Sequence, residues 1–379
     1  MIKESKKYNN NWPIVAICYD FDKTLSPKDM QNFGLIPKLG CKVSSFWKSS
    51  NKLAKDQGMD KILAYMKLII DKAQGQDEKI ARDDFNELGK TIELFQGVET
   101  WFERINEIAN GLEINVEHYI ISAGIKEIIE GTSIAKYFTE IYASEFYYDQ
   151  YGKPMWPCQV VNYTSKTQYL FRINKDCLDL SDEDSVNDYI PDEFRRIPFK
   201  HFIYIGDSET DIPAMKIVKQ GGGVSIGVYN PVSCNIEKVT NLLQQERIDF
   251  LMPANYTEGS KIEETVKSIL KKIRSNFDLS ELNRCQRDFV NDLDKVEDFI
   301  DYTHRYLAGS ELSESENDST EKQAKRILKK IKKDLLEEHS NIVGNLEIET
   351  FIKQKEEIVK NLFDEKRKKI RKKGVKKIR

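Results

Sequence analysis

The chain of 379 residues is long enough for two or three domains, and its 40% hydrophobic and 10% aromatic residues are typical of a globular protein with a core. Its six cysteines are scattered and include no C-x-x-C pair, which argues against a disulfide framework or a cysteine zinc site. No apolar run is long enough to span a membrane, and residues 1–13 lack the apolar core of a signal peptide. We therefore expect a cytoplasmic protein without membrane contact.

The net charge of −3 conceals an asymmetry between the body of the chain and its C-terminal end. Residues 321–379 hold 20 Lys and Arg against 10 Asp and Glu, so the rest of the chain carries a net charge of −13. The final stretch, residues 366–379, contains ten basic residues and no acidic residue. An acidic body with a basic tail indicates two functional units.

Strands and helices alternate along the chain up to about residue 275. Short runs rich in Ile, Val and Tyr predict five strands, at residues 13–19, 116–122, 140–144, 201–206 and 224–229. Residues 145–156 predict a hairpin with its turn at Tyr151-Gly152. The alternation predicts an α/β fold with a Rossmann-like, mostly parallel sheet.

Residues 27–100 interrupt this alternation, because they contain amphipathic helical patterns and no clear strand. Residues 59–73, for example, place their apolar side chains on one helical stripe. The block follows the first strand directly, which favours an inserted helical cap over a site at the end of that strand. The alternative is a helical insertion that serves stability alone. The predicted core therefore comprises residues 12–26 and 101–275.

Residues 276–379 predict a charged helical extension with a basic C-terminus. We expect a long helix at 279–307, a linker at 308–320 and two further helices at 321–339 and about 346–372. Three interpretations stay open for this extension. It is a helical bundle that docks on the body or joins two subunits in a dimer, it makes non-specific contact with nucleic acid or another polyanion through 366–379, or it belongs to a non-enzymatic binding protein.

Acidic residues follow two of the predicted strands. Asp20 and Asp22 come after the first strand, and Asp207 and Asp211 come after the strand at 201–206. In parallel sheets, ligands bind at the carboxyl ends of the strands. Like charges held close together need compensation, and a hard cation such as Mg²⁺ supplies it. Either pair alone is also compatible with a helix cap or a solvated turn.

Four short motifs occur in the order that is typical of one superfamily: "DFDKT" (20–24), "IIS" (120–122), "SK" (165–166) and "GDSETD" (206–211). Together they resemble the motifs of the haloacid dehalogenase-like superfamily, and the pattern D-x-D-x-T resembles its phosphatase branch. The helical block between the first two motifs resembles members with a helical cap, such as phosphoserine phosphatase. The resemblance implies Mg²⁺-dependent hydrolysis of a small phosphomonoester through an aspartyl-phosphate intermediate.

The resemblance also implies a role for each catalytic residue. Asp20 is expected to be the nucleophile, and Asp22 the group that protonates the leaving oxygen and then deprotonates water. Ser122 is expected to donate a hydrogen bond to a phosphoryl oxygen. Lys166 is expected to neutralise charge on the nucleophile and the phosphate.

The same resemblance implies a magnesium site. Asp207 would hold the ion together with the Asp20 carboxylate and the Asp22 backbone carbonyl, and Asp211 would bind it indirectly or orient the loop. Thr24 is expected to fix the turn after the nucleophile.

Substrate selection is predicted less fully. Asp29 lies nine positions after the nucleophile, where the resemblance places the acid that binds a substrate amine. A polynucleotide-end phosphatase is the alternative to an enzyme for small substrates. Two basic residues have competing interpretations. Lys175 is the alternative to Lys166 as the active-site lysine, and Arg82 either binds a substrate carboxylate or belongs to a salt-bridged helix face. Lys23, between Asp22 and Thr24, is expected to point outward.

Overall fold

A computed structural model gives the fold of most of the chain. The chain divides into two compact units, residues 1–274 and residues 275–379. The structure describes residues 11–74, 80–182, 184–207, 209–232 and 236–376.

The first unit is built on one seven-stranded sheet. Its strands lie in the order β4-β3-β2-β1-β5-β6-β7, and all neighbouring pairs are parallel except the β3–β4 hairpin. This sheet confirms the predicted α/β, Rossmann-like fold. The strands are β1 (Ile14–Tyr19), β2 (Asn115–Ile125), β3 (Phe138–Tyr148), β4 (Pro154–Gln159), β5 (Phe202–Gly206), β6 (Val224–Tyr229) and β7 (Phe250–Pro253).

Helices separate and follow these strands. Between residues 27 and 100, the described part contains four complete α-helices, the start of a fifth and no strand. The helices of the first unit, with α11 continuing into the second, are α1 (Leu35–Lys38), α2 (Val43–Gln57), α3 (Lys61–Gln74), α4 (Arg82–Gly89), α5 (Val98–Gly111), α6 (Lys126–Glu130), α7 (Lys166–Lys175), α8 (Asp184–Asn187), α9 (Ile212–Gln220), α10 (Ile236–Gln244) and α11 (Lys261–Gly309).

The central strand β1 is apolar on both faces because each face packs against helices. Val15 and Ile17 belong to one core cluster, which includes side chains of α5. Ala16 and Cys18 belong to a second cluster, which includes side chains of α7 and α9. Successive side chains of a strand point to opposite faces, so a strand covered on both sides reads as a continuous apolar run. That run ends at Asp20.

The second unit is a bundle of long helices. The C-terminal part of α11 packs with α12 (Glu314–Val343) and α13 (Asn345–Lys376) around an apolar cluster. The cluster is made of Val296, Ile300, Leu307, Ala324, Leu328, Leu335, Ile348, Ile352, Val359 and Phe363. This packing agrees with the bundle interpretation of the extension. Pairing of two subunits through these helices stays a prediction.

The predicted linker at 308–320 is wrong in extent, because α12 begins at Glu314. The Ser313 hydroxyl accepts a hydrogen bond from the backbone N–H of Glu316, and the Glu316 carboxylate accepts one from the N–H of Ser313. This reciprocal pair is a capping box, which starts a helix within a stretch whose Ser-rich, acidic composition suggested a linker. Within the described residues, no helix is both long and apolar enough to cross a membrane.

His201 makes the stability of the first unit depend on pH. It lies just before β5, is 6% exposed, and its Nδ1 lies 3.2 Å from the carbonyl oxygen of Ile14. Burial and the charge of Lys200 lower its pKa from 6.5 to about 4. Between about pH 6.5 and pH 4, this imidazole binds a proton in the unfolded chain but stays neutral in the folded unit. The free energy of unfolding therefore falls as the pH drops through this range.

We expect His201→Asn, which retains a neutral donor, to remove about 3 kcal/mol of this acid-induced loss. The measurement is urea unfolding at pH 7 and pH 4 followed by tryptophan fluorescence, because all four tryptophans lie in the first unit. His304→Asn, at an exposed position of α11, is the matched control. Equal losses in wild type and His201→Asn would contradict this role.

Candidate active site

The first pair of acids is presented by a tight turn at the end of β1. The backbone N–H of Asp20 donates to the carbonyl of Ile205 at 2.9 Å, which extends the pairing of β1 with β5. The carbonyl of Phe21 then accepts hydrogen bonds from the N–H groups of residues 24–26. Lys23 adopts a φ of 59° within this turn. The turn leaves Asp20 and Asp22 at the carboxyl end of the strand.

The second pair follows β5, the neighbour of β1. Asp207 comes directly after Gly206, and Asp211 precedes α9. A Cβ at position 206 would lie 2.6 Å from Oδ2 of Asp211, so glycine is required for this approach. The Tyr204 hydroxyl donates to Oδ1 of Asp211 at 2.8 Å. Ser208, which belongs to the same motif, lies outside the described residues.

Lys166 joins the two pairs of acids. Its side chain is 1% exposed, and its Nζ lies 2.7 Å from Oδ1 of Asp211 and 3.1 Å from Oδ1 of Asp20. Burial lowers its pKa, but the two carboxylates outweigh burial and leave the pKa above the ordinary value. Lys175, at the other end of α7, binds the carbonyl oxygens of Val186 and Asp188. The geometry thus places Lys166, and not Lys175, among the acids.

The acids are crowded enough to change each other's protonation. Burial raises the pKa of Asp20 to about 6, against the opposing effect of Lys166. Burial, followed by the charges of Asp20 and Asp211, raises the pKa of Asp207 well above its ordinary value. Burial, followed by the charges of Asp29 and Asp20, does the same for Asp22. One lysine does not balance these carboxylates, so the site favours a further positive charge.

Three of the carboxylates fit a hard divalent cation. One oxygen each from Asp20, Asp207 and Asp211 lie within 4.8 Å of one another. A set of oxygen donors around a small, negatively charged space suits Mg²⁺. The Asp22 carboxylate is engaged elsewhere, because its Oδ1 accepts a hydrogen bond from the backbone N–H of Met30 at 2.8 Å.

Ser122 and Thr24 are both buried, with different surroundings. Ser122 lies on β2 beside β1, and its Oγ accepts the N–H of Gly124 at 3.1 Å, which leaves its hydroxyl proton free to donate. Thr24 lies within the turn, where its carbonyl accepts a hydrogen bond from Tyr256 at 2.8 Å. Its position agrees with a role in fixing the turn.

Asp29 and Lys23 form an ion pair at the entrance to the site. Nζ of Lys23 lies 2.7 Å from Oδ1 of Asp29. The Lys23 side chain is 50% exposed, in agreement with the expectation that it points outward, and both residues line one cavity. The carboxylate at position 29 attracts the Lys23 ammonium group across the turn. Arg82 of α4, in contrast, lies 3.7 Å from Glu145 of β3 and does not line this cavity.

The cavity, of about 380 Å³, lies between the predicted cap and the core. The turn after β1 contributes Asp22 and Lys23 to its wall, and α2 and α3 of the predicted cap contribute most of the rest. Few of these residues were predicted to line a site. On an amphipathic helix, the sequence pattern does not distinguish a polar side chain that lines a cavity from one that faces solvent. The cap and loop residues that line it are Asp29, Gln31, Trp47, Ser50, Asn51, Lys61, Ile62 and Tyr65, with Ala123 and Tyr163 from the core.

Lys166→Met removes the cation held between Asp20 and Asp211. In the presence of a chelator, we expect it to lower the free energy of unfolding of the first unit by about 3–5 kcal/mol, since it leaves buried carboxylates unpaired. Lys175→Met, on the same helix, is the matched control and should cost about 1–2 kcal/mol. Urea unfolding at pH 7 measures both, and similar losses for the two variants would contradict the central place given to Lys166.

Comparisons with known proteins identify the family of the chain. An uncharacterized protein of Borreliella burgdorferi is 29% identical over 282 residues, which are 67% of this chain and 95% of that protein. A phosphoserine phosphatase in a phospho-aspartyl intermediate analogue form has a TM-score of 0.41 at 16% identity, covering 68% of this chain and 99% of that one. A probable phosphoserine phosphatase of Vibrio cholerae has a TM-score of 0.45 at 11% identity, covering 70% and 69%. Residues 17–216 match the profile of the haloacid dehalogenase-like hydrolases, and the chain belongs to that family.

Proposed function

We propose that the chain is a phosphomonoester hydrolase that forms an aspartyl-phosphate on Asp20. The observation that carries this proposal is the placement of the Asp20 carboxylate 3.1 Å from Lys166 and within 4.8 Å of the carboxylate oxygens of Asp207 and Asp211. A phosphoryl group at this position would meet a nucleophile and a buried cation. Such charge stabilisation is the main contribution that proteins make to phosphoryl transfer.

In the first step, a carboxylate oxygen of Asp20 attacks phosphorus, and the bond from phosphorus to the ester oxygen breaks. The ester oxygen takes a proton from Asp22, which lines the cavity where the leaving group would lie. Lys166 neutralises charge on Asp20 and on the phosphoryl group, and the hydroxyl group of Ser122 donates a hydrogen bond to a phosphoryl oxygen. The products are an alcohol and phosphorylated Asp20.

In the second step, water attacks the phosphorus of the aspartyl-phosphate and gives a proton to Asp22. The bond from phosphorus to the Asp20 oxygen breaks, and inorganic phosphate leaves. Asp20 and Asp22 return to their starting protonation, so no external acid or base is consumed.

Asp20, Asp207 and Asp211 would hold Mg²⁺, with the Asp22 backbone carbonyl as the further ligand that the sequence resemblance implies. When bound, the ion supplies positive charge that neutralises phosphoryl oxygens.

We also propose that the protein is located in the cytoplasm. The five cysteines that the structure describes, among them buried Cys18 and Cys177, are all free, as a reducing compartment would keep them.

Asp20→Asn should abolish Mg²⁺-dependent release of phosphate from p-nitrophenyl phosphate, because the amide cannot form the aspartyl-phosphate. Enzymes accelerate phosphate-monoester hydrolysis by up to roughly 10²¹-fold, so losing the nucleophile should leave no practical turnover. Asp56→Asn, at an exposed position of α2, is the matched control and should keep wild-type turnover. Wild-type turnover by purified Asp20→Asn protein would refute the covalent mechanism.

Non-specific contact with nucleic acid is a second candidate function, carried by the exposed lysines of α13. Several basic residues of the tail are engaged within the bundle: Arg367 pairs with Asp318 and Glu321, and Lys366 donates to backbone carbonyls of residues 307 and 310. Others are exposed and have no described acidic partner, namely Lys368, Lys369 and Lys372. These are the positions at which we propose phosphate contacts.

Reversing the charge of Lys368, Lys369 and Lys372 should weaken binding to duplex DNA and reduce its salt dependence. If about six phosphates are contacted, the log affinity should fall with log salt at a slope near −5, and the triple variant should lower that slope by about 3. Fluorescence anisotropy measures both, with a triple charge reversal of exposed Lys48, Lys52 and Lys55 as the control. Binding that does not depend on salt would contradict this proposal. Deleting 321–379 is a poorer test, because it would uncover the apolar face of α11.

A further inference from the structure

Asp60 lies directly before α3, and its carboxylate makes contacts in two directions. Oδ1 accepts hydrogen bonds from the backbone N–H groups of Ile62 at 2.7 Å and Leu63 at 3.2 Å, as the N-cap residue of a helix does. Oδ2 accepts a hydrogen bond from Nδ2 of Asn162 at 3.1 Å. One carboxylate thus caps α3 and attaches the start of this helix to the segment that precedes α7.

Asn162 is held in the loop that starts α7. Its Oδ1 accepts the backbone N–H of Ser165 at 3.2 Å, and its own N–H donates to Oγ of Ser165 at 2.7 Å. Its carbonyl accepts the backbone N–H of Lys166 at 3.2 Å. A backbone N–H only donates and an ionised carboxylate only accepts, so Ser165 and Asp60 together determine the orientation of the Asn162 amide.

Lys166 is therefore connected to α3 through its own backbone. Because α7 begins at Lys166, its first turn carries the ammonium group that lies 3.1 Å from Oδ1 of Asp20 and 2.7 Å from Oδ1 of Asp211. A displacement of this turn would move the ammonium group relative to both carboxylates. Misplacing a group at a reacting centre by about 1 Å can slow a reaction by roughly a hundredfold.

A second contact holds the same helix next to Ser122. The Tyr65 hydroxyl, from the second turn of α3, donates to the carbonyl of Ala123 at 2.7 Å, and Ala123 directly follows Ser122. Helix α3 thus contacts both segments that carry the groups expected to bind phosphoryl oxygens, Lys166 and Ser122. Asp60 itself does not line the cavity, so it would act on the reaction through other residues and not by touching a substrate.

We propose that Asp60 is a positioning residue that holds Lys166 in place through its hydrogen bond to Asn162. The bond joins a helix that lines the cavity to the loop that carries the catalytic ammonium group. Because Lys166 neutralises charge during the reaction, loosening it should slow turnover and leave substrate binding nearly unchanged. This inference rests on the proposed phosphatase function and adds to it a residue outside the four sequence motifs.

Exchanging the acid and the amide tests this hydrogen bond. Asp60→Asn keeps an oxygen for the N–H groups of α3 but turns a second donor towards the Asn162 amide, and Asn162→Asp places two carboxylates face to face. Either change alone breaks the bond. In the double variant Asp60→Asn/Asn162→Asp, the amide at position 60 donates to the carboxylate at position 162, so the bond forms again with its direction reversed. The N–H of Ser165 keeps an acceptor in all three variants.

The kinetics are measured on the full chain with Mg²⁺ and p-nitrophenyl phosphate. Each single variant should lower kcat by about tenfold or more, with KM within about twofold of the wild-type value. The double variant should recover kcat to within about threefold of wild type, because the two changes compensate each other.

Two controls separate positioning from other effects. Asp56→Asn on α2 and Asn110→Asp on α5, both at exposed positions, make the same chemical changes and should keep the wild-type kcat. Urea unfolding at pH 7 shows how much each variant destabilises the protein. A purely structural role would change the free energy of unfolding and leave the kcat of the folded protein unchanged.

Wild-type turnover separates the failure of this inference from the failure of the proposed function. If wild type hydrolyses the ester and the single variants keep its kcat, or the double variant stays as slow as they are, the role of Asp60 is wrong and the phosphatase function stands. A change confined to KM would likewise overturn the role. If wild type hydrolyses nothing, the function and the inference fall together. Should one single variant not fold, the other single variant and the double variant decide.

Discussion

The contact of buried Lys166 with Asp20 and Asp211 is the interaction on which the active site depends. A fully buried ammonium group is tolerated only when carboxylates surround it, and buried carboxylates need the ammonium group in return. Three separate elements must meet for this to happen: the end of β1, the loop before α9 and the first turn of α7. The parallel pairing of β1 with β5 places the acids side by side, and the sheet thereby determines the site.

Two regions of different chemistry meet at Asp22. On the side of the core, the carboxylates and Lys166 form a highly charged site suited to a phosphoryl group and a metal ion. On the side of the helical block, the cavity presents amides, aromatic rings and the compensated pair of Lys23 and Asp29. The first region would perform a reaction common to many substrates, and the second would select among them.

The sequence predicted the parts of the fold that depend on local patterns. The apolar run before Asp20 indicated a central strand because a strand buried on both faces has no polar positions, and the acids at its end indicated a site. The four-residue β7, which ends in Pro253, was too short to carry such a pattern. The capping box at Ser313 was hidden by a composition that is also typical of linkers.

The contacts of the helical block could not be predicted in the same way. The hydrogen bond from the Tyr65 hydroxyl to the carbonyl of Ala123 joins residues that are far apart in sequence and come together only in the folded chain. Likewise, the ion pair of Lys23 with Asp29 depends on a turn whose backbone adopts a positive φ. Both features arise from tertiary geometry, and neither leaves a spacing or periodicity to recognise.

Isolating the intermediate shows most directly whether Asp20 carries the phosphoryl group. Wild-type protein mixed with Mg²⁺ and p-nitrophenyl phosphate is quenched in acid within one turnover, digested, and its peptides are analysed by mass spectrometry. We expect one acid-stable, base-labile phosphoryl group on Asp20. Phosphate release without any phosphorylated Asp20, or a phosphoryl group on a different residue, would contradict it.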